Sequence, residues 1–207
     1  ISSSDVTALD ALNASVCGLW IDDSRSTLDA MDLIAQSVGA CYWVDRLGVL
    51  RMARLDLPSG TSVETIAPWK FATVAQVTSG QDVPSGTARI KYANYGRAQS
   101  RAELAGSVSD ADAADLAQEW RVSTYSATPS PNPHKRLQTI ERETALTSKS
   151  AADTESQRLQ ELWSAPRRVH ECSGVRLIED TALTIDLNTV VGFRWDRYGY
   201  ALDSDTL

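Results

Sequence analysis

Residues 26–55 constrain the fold of this chain more than any other stretch, because a helical pattern runs directly into a hairpin pattern. Ser26 is suited to cap a helix, and Asp29 three residues later completes a capping box. Gly39 stands where a left-handed C-cap is typical. Between them, apolar side chains recur at spacings of three and four residues: Leu28, Met31, Ile34, Ala35 and Val38. The pattern therefore predicts an amphipathic helix that buries this apolar face.

The hairpin pattern follows at once. Residues 41–44 are aromatic or β-branched for the most part, which favours a strand. Residues 45–48 begin with Asp and end with Gly, as in a type I turn. Residues 49–55 predict the returning strand, and Arg51 and Arg54 fall on its opposite faces. A strand with an arginine on each face is not expected to be buried on both sides.

Composition and charge restrict the class of partner. The chain has 207 residues, a net charge of -7 and a hydrophobic content of 43%, which is ordinary for a globular domain. The acidic balance argues against stable nucleic-acid binding and against an anionic membrane surface. No apolar run is long enough to anchor the chain in a membrane. Three widely spaced cysteines predict buried thiols and not a disulfide framework or a zinc site.

The remaining pattern predicts three more helices and several strands. The helices are expected at residues 5–14 with Ser4 as the cap, from Ser109, and from Ser150. Residues 71–78 and 87–92 are expected to pair as neighbouring strands. Further strands are expected at 122–127, 137–146, 167–172 and 189–196. The predicted fold class is α+β, with antiparallel β-sheets or a partial β-barrel and about four amphipathic helices inserted.

Sequence motifs for catalysis and ligand binding are missing. The chain has no glycine-rich phosphate loop, no HExxH, no GxSxG and no zinc spacing. His134 and His170 have no flanking motif, and the residues around Asp203 and Asp205 lack the glycine and closing glutamate of a calcium loop. The sequence therefore predicts no catalytic, cofactor-binding or metal-binding residues, and no enzymatic activity.

Two other segments each allow two interpretations. Arg89 and Lys91, with Tyr92 and Tyr95 nearby, have the composition of an anion or base-stacking site. The same pattern is typical of a solvated strand face, which the net charge favours. The proline-rich segment 128–134 is either a partner-docking segment or, as we expect, a surface loop.

Several segments, taken in chain order, carry a family resemblance. They are ALNASVCGLW (11–20), the helix TLDAMDLIAQSVGA (27–40), the hairpin DRLGVLRMARL (45–55), LPSG (57–60), IKYANYG (90–96) and RYG (197–199). In this order they resemble the tail-tip or baseplate hub proteins of long-tailed bacteriophages and prophages. The resemblance spans most of the chain and transfers no catalytic residue.

The resemblance implies a structural role in a virion tail. In such hubs, β-barrel-like domains form a ring, usually a homo-trimer, that links the tail tube to the spike or fibres. It implies other tail proteins as partners, a location in the virion tail, and the host cytoplasm during assembly. Residues 1–100 then correspond to a helix–hairpin–strand region, and 101–207 to a second α+β region ending in an incomplete barrel. On this interpretation the chain is a fragment of a longer polypeptide.

Two alternative functions belong to other classes. One is a tail-associated glycan or peptidoglycan hydrolase, which requires a carboxylate with a raised pKa in a pocket. The other is a carbohydrate- or receptor-binding module that uses tryptophan platforms. Four of the six tryptophans fall on predicted core faces, which argues against that use; they are Trp43, Trp120, Trp163 and Trp195.

Overall fold

The computed structural model describes residues 2–21, 24–59, 61–70, 72–77, 83–126, 136–165, 169–175 and 185–194. Its helices are α1 (Ser3–Leu12), α2 (Thr27–Ser37), α3 (Asp110–Leu116) and α4 (Lys149–Leu162). Its strands are β1 (Ala40–Val44), β2 (Leu50–Arg54), β3 (Thr65–Ile66), β4 (Thr73–Val77), β5 (Ser85–Tyr92), β6 (Arg121–Ser126), β7 (Gln138–Glu143), β8 (Val169–Ser173) and β9 (Gly192–Phe193). The predicted α+β class, with about four helices, is confirmed.

The helix and hairpin predicted from residues 26–55 are both present. The Ser26 hydroxyl accepts from the Asp29 N–H at 3.1 Å, and the Asp29 carboxylate accepts from the Ser26 N–H at 3.0 Å. This is the predicted capping box. Gly39 follows α2 with φ +70°, and Gly48 closes the β1–β2 turn with φ +77°. Both glycines adopt backbone that other residues rarely take.

The predicted buried face of α2 is wrong. Leu28, Met31 and Ile34 are 58%, 37% and 44% exposed, whereas the buried positions are Ala30 and Ser37. A different side of α2 is buried because Ser37 bonds to Ala145, a residue far along the chain. The Ser37 hydroxyl donates to the Leu33 carbonyl at 2.6 Å and accepts from the Ala145 N–H at 2.7 Å. The side of α2 with small residues therefore faces the protein, and the large apolar side chains face outward.

The predicted pairing of residues 71–78 with 87–92 is also wrong. β4 pairs antiparallel with β8, and β5 lies between β6, which is antiparallel to it, and β7, which is parallel. β5 is a central strand with Ala88 and Ile90 fully buried. A hairpin is the shortest connection between two strand patterns, but periodicity alone gives no information about partners farther along the chain.

The described core lies where α4 packs on the sheet of β5, β6 and β7. It consists of Ala88, Ile90, Tyr92, Leu146, Ala152 and Leu159, with Trp163 and Ile140 packed against it. The helix predicted in this region is present as α4, and its Ala152 and Leu159 lie on the side that faces the sheet. Two predicted caps are wrong by two residues: Ser2 caps α1 in place of Ser4, and Ser148 caps α4 in place of Ser150. Closely spaced serines make the capping position ambiguous in sequence.

The described strands form four separate sheets. They are β1–β2, β3–β9, β4–β8 and β6–β5–β7, of which only the β3–β9 and β5–β7 pairs are parallel. The predicted antiparallel sheets are present as β1–β2 and β4–β8, whereas β6–β5–β7 is mixed and β3–β9 is parallel. Three of these sheets join strands from residues 1–100 to strands from 101–207. No described helix has the length and apolar character needed to cross a bilayer.

Gly39 gives a direct test of how α2, the hairpin and α4 meet. A Cβ at Gly39 would overlap the guanidinium of Arg158 on α4, whereas a Cβ at Gly48 would meet open space. Left-handed backbone costs an alanine about 1–2 kcal/mol at either site, and overpacking adds about 1–3 kcal/mol at Gly39 alone. We expect Gly39→Ala to lower the free energy of unfolding in urea clearly more than Gly48→Ala. Equal losses would contradict the contact with Arg158.

Candidate functional site

Lys91 and Tyr92 of β5 are not available for an anion site. The Lys91 ammonium contacts the carboxylates of Glu141 at 2.9 Å and Glu143 at 3.1 Å, and these contacts raise its pKa. Tyr92 is only 5% exposed and belongs to the core. The Tyr95 ring lies 5.5 Å from the Arg121 guanidinium. Lys91 is therefore neutralised within the sheet, as on an ordinary solvated strand face.

The other residues considered for chemistry are dispersed or lie outside the described part. His170 on β8 stacks on Phe193, with ring centroids 5.4 Å apart. His134, the segment 128–134 and Asp203 to Asp205 lie outside the described residues. Within the described ranges, no three His, Cys, Asp or Glu side chains are grouped so that they could hold a metal ion.

The predicted burial of the three cysteine thiols is only partly confirmed. Cys17 and Cys172 are half-buried, and burial raises the pKa of both thiols. Cys41 is exposed on β1, contrary to the expectation that all three thiols are buried. All three are free cysteines.

One edge of the β1–β2 hairpin is closed by α1. The Ser2 N–H donates to the Leu50 carbonyl at 2.9 Å, and the Met52 N–H donates to the Asp5 carboxylate at 3.3 Å. Arg51 Nε lies 2.6 Å from Asp5 Oδ2, which adds an ion pair to the same junction. The first turn of α1 therefore satisfies the outward-facing backbone of β2.

A shallow cleft lies beside this closed edge. Its volume is about 430 Å³, and it is lined by α1, by β1 and β2 residues including Trp43, and by residues 186–189. The hydrogen bond from Arg51 is the largest cause that lowers the pKa of the Asp5 carboxyl from 3.8 to about 2. The Trp43 indole N–H is buried here without an acceptor among the described residues. The charges of Asp5 and Arg51 offset each other within this cleft.

A second cleft lies at the opposite edge of the hairpin, between β1, α2 and α4. Its volume of about 550 Å³ is within the range of ligand-binding clefts in proteins. Its lining combines polar residues with an apolar wall from α4, and includes Asp32, Tyr42, Arg142, Arg158, Leu162 and Trp163. The Tyr42 hydroxyl donates to the Asp32 carboxylate at 2.5 Å, which ties β1 to α2.

A buried ion pair forms the end of this second cleft. Arg158 donates from Nε and Nη2 to both oxygens of Glu155, at 2.8 and 2.6 Å. Arg158 Nη1 also donates to the Leu55 carbonyl at 2.5 Å and lies 3.5 Å from Asp56. The guanidinium therefore joins α4 to the residues that follow the hairpin.

Several large apolar side chains remain at the surface. The exposed side of α2 presents Leu28, Met31 and Ile34, which we call the α2 apolar face. Trp20 and Trp69 are 85% and 74% exposed. They are the two tryptophans that sequence analysis did not place on core faces. Exposed apolar surface of this kind marks interaction sites when it is contiguous.

Sequence reasoning missed the second cleft and the exposure of α2. A partial signal existed, because Glu155 and Arg158 are three residues apart and so share one side of a helix. Neither residue is an obvious core residue by type. These two residues are buried because α4 packs against Gly39 and Leu55, which no local sequence pattern indicates.

Comparison of the sequence with models of protein families finds no match, and comparison with curated proteins finds none either. Any functional conclusion therefore depends on the geometry described above and on the resemblance of the sequence segments.

The lowered pKa of Asp5 predicts a specific pH dependence. A carboxyl with a depressed pKa contributes stability above its unfolded value of 3.8 and loses it as the pH falls toward about 2. We expect Asp5→Asn to cost about 1 kcal/mol at pH 7, a figure reduced by solvent screening. The difference from wild type should shrink between pH 4 and pH 2 in urea unfolding.

Asp10→Asn is the matched control, because Asp10 is exposed on the same helix. A difference for Asp5→Asn that is independent of pH over this range would contradict the proposed role of its charge.

Proposed function

We propose that this chain is a structural component of a bacteriophage or prophage tail tip or baseplate hub, linking the tail tube to the spike or fibres. The observation that carries the proposal is the exposed α2 apolar face. It lies within residues 26–55, the stretch that most constrains the fold and that contributes the helix and hairpin to the resemblance. A subunit of an assembly needs such a surface to contact its neighbours.

The apolar area of this face determines how much it can contribute to an interface. Burying apolar surface contributes about 25 cal/mol per Å², so three large side chains on one helix provide a useful share of an interface. Leu28, Met31 and Ile34 are spaced three residues apart and so form one continuous stripe on α2. In the isolated chain this stripe contacts water, whereas in a tail it would contact a neighbouring subunit.

The proposed partners follow from this role. They are other tail proteins of the tube, spike or fibres, together with further copies in a homo-trimer of the full-length protein. The proposed location is the virion tail, with assembly in the host cytoplasm. The net charge of -7 supports a hub whose bore repels passing DNA and does not retain it.

A test of location is immunogold electron microscopy of particles from an induced lysate of the source organism. We expect gold at the distal end of the tails. Antibody absorbed with the purified chain is the control and should leave tails unlabelled. Intact tails without gold, with the antigen confirmed in the same cells, would contradict the proposal.

A paired substitution tests whether the α2 apolar face takes part in assembly. We expect Ile34→Glu, introduced into the prophage, to reduce the yield of complete tails at least tenfold. Thr27→Glu adds the same charge to the first turn of α2, where the helix dipole favours it, and should leave the yield unchanged. Both variants should unfold within about 0.5 kcal/mol of wild type, as surface substitutions usually do. Equal yields from the two variants would contradict a role of the α2 apolar face in assembly.

Carbohydrate binding is a second candidate, because Trp20 and Trp69 are the most exposed of the described tryptophans. Sugar platforms require an accessible indole face, and a bound glycan would shift the tryptophan emission. The structural proposal predicts no shift when peptidoglycan fragments or surface glycans are added. A saturable shift that is abolished by Trp20→Ala or Trp69→Ala, but kept in Trp43→Phe, would favour the binding module instead.

A further inference from the structure

The backbone of β1 has an inner and an outer side that can be assigned from hydrogen bonds. The Leu55 N–H donates to the Gly39 carbonyl, and the Asp45 N–H donates to the Val49 carbonyl, both at 2.9 Å. Backbone groups in an antiparallel pair alternate in direction from one residue to the next. Odd-numbered residues from 39 to 45 therefore face β2, and the backbones of Ala40, Tyr42 and Val44 face outward.

These outward groups have no partner in the described part of the chain. Among the described residues, no backbone or side-chain hydrogen bond reaches the N–H or carbonyl of Ala40, Tyr42 or Val44. The opposite edge of the same hairpin differs, because Ser2 and Asp5 hold the outward groups of Leu50 and Met52. The hairpin thus has one closed edge and one open edge.

The second cleft lies beside part of this open edge, at Ala40 and Tyr42. It is lined by Ala40 and Tyr42, whose side chains point to one face of the hairpin, and by Cys41, whose side chain points to the other. Of the partner strand, only Leu55, the residue directly after β2, lines it. A cleft that meets both faces of β1 and only the end of its partner strand lies beside β1 and not over the sheet.

The wall of the cleft that α4 and β7 form indicates which side chains a bound segment would need. Leu159 and Leu162 of α4, with Trp163 directly after the helix, form an apolar wall of the cleft. Arg142 of β7 is half-buried at the same cleft and forms no ion pair with the described residues. Arg158, in contrast, is already neutralised by Glu155. Arg142 therefore provides a positive charge for a carboxylate of an occupant.

We propose that the open edge of β1 binds an extended segment of another polypeptide, which adds to the hairpin as a third strand. Its backbone pairs with Ala40, Tyr42 and Val44, as in other cases of strand addition. Alternate apolar side chains of the segment contact the α4 wall, and an acidic side chain contacts Arg142. This inference uses only the geometry of the cleft and does not depend on the proposed role in a tail.

The test uses a synthetic hexapeptide in which valine and threonine alternate and one central residue is glutamate. Binding to the whole chain is followed by calorimetry and by ¹⁵N NMR. We expect saturable binding with Kd below 1 mM and shifts at the amides of Ala40, Tyr42 and Val44. The same peptide with alternate backbone amides N-methylated cannot form the ladder and should bind at least tenfold more weakly.

Two pairs of variants separate backbone pairing from charge. Val44→Pro removes an outward N–H without removing a bond to β2, and should weaken binding at least fivefold, whereas Val44→Thr should not. Arg142→Gln should weaken binding of the glutamate peptide about fivefold and leave a glutamine peptide unaffected. Arg89→Gln removes an exposed arginine of β5 that does not line the cleft, and is the matched control.

Three results would overturn the inference. The first is no binding at millimolar peptide, and the second is binding that N-methylation and Val44→Pro leave unchanged. The third is self-association of the chain, seen by sedimentation and abolished by Val44→Pro, which would assign this edge to a second copy.

Discussion

The position of α4 beside the hairpin depends on Arg158, which is paired with Glu155 on the same helix and donates to the Leu55 carbonyl. Both side chains are largely buried, with 14% and 4% of their surface exposed, and the pair is bidentate. Arg158 also reaches the Leu55 carbonyl and lies against Gly39, so it joins α4 to the hairpin. Removing one partner of a buried pair costs about 3–5 kcal/mol, because the other charge is left uncompensated. The hydrogen bond from Arg158 to the Leu55 carbonyl holds α4 beside the hairpin and so sets the position of the second cleft.

Two surfaces of the helix–hairpin unit remain available once this junction is formed. The α2 apolar face points to solvent because Ser37, on another side of α2, is bonded to Ala145. The outer edge of β1 is open because α1 covers only the edge of β2. An apolar stripe and an unpaired strand edge are both liabilities in a protein that acts alone, since each favours association. Both are explained if the chain functions beside other chains, as the tail-hub proposal requires.

The sequence correctly predicts those parts of the fold whose signals lie close together in the chain. The capping box of Ser26 and Asp29, together with the glycines at 39 and 48, defines α2 and the hairpin within a single stretch. The sequence predictions are wrong where the structure depends on a residue far along the chain. Ala145 determines which side of α2 is buried, and partners far along the chain determine the neighbours of β5. The second cleft could not be predicted for the same reason, because its walls come from α2, β1, β7 and α4, which no local pattern relates.

The most direct test of this account is amide hydrogen exchange of the isolated chain, resolved residue by residue along the hairpin. The account predicts an alternation on β1, with slow exchange at Cys41 and Trp43 and fast exchange at Ala40, Tyr42 and Val44. It also predicts slow exchange at Met52, whose N–H is bonded to Asp5 across the closed edge. Uniform protection along β1 would show that its outer edge is already covered, and would contradict the claim that the hairpin keeps one edge open for another chain.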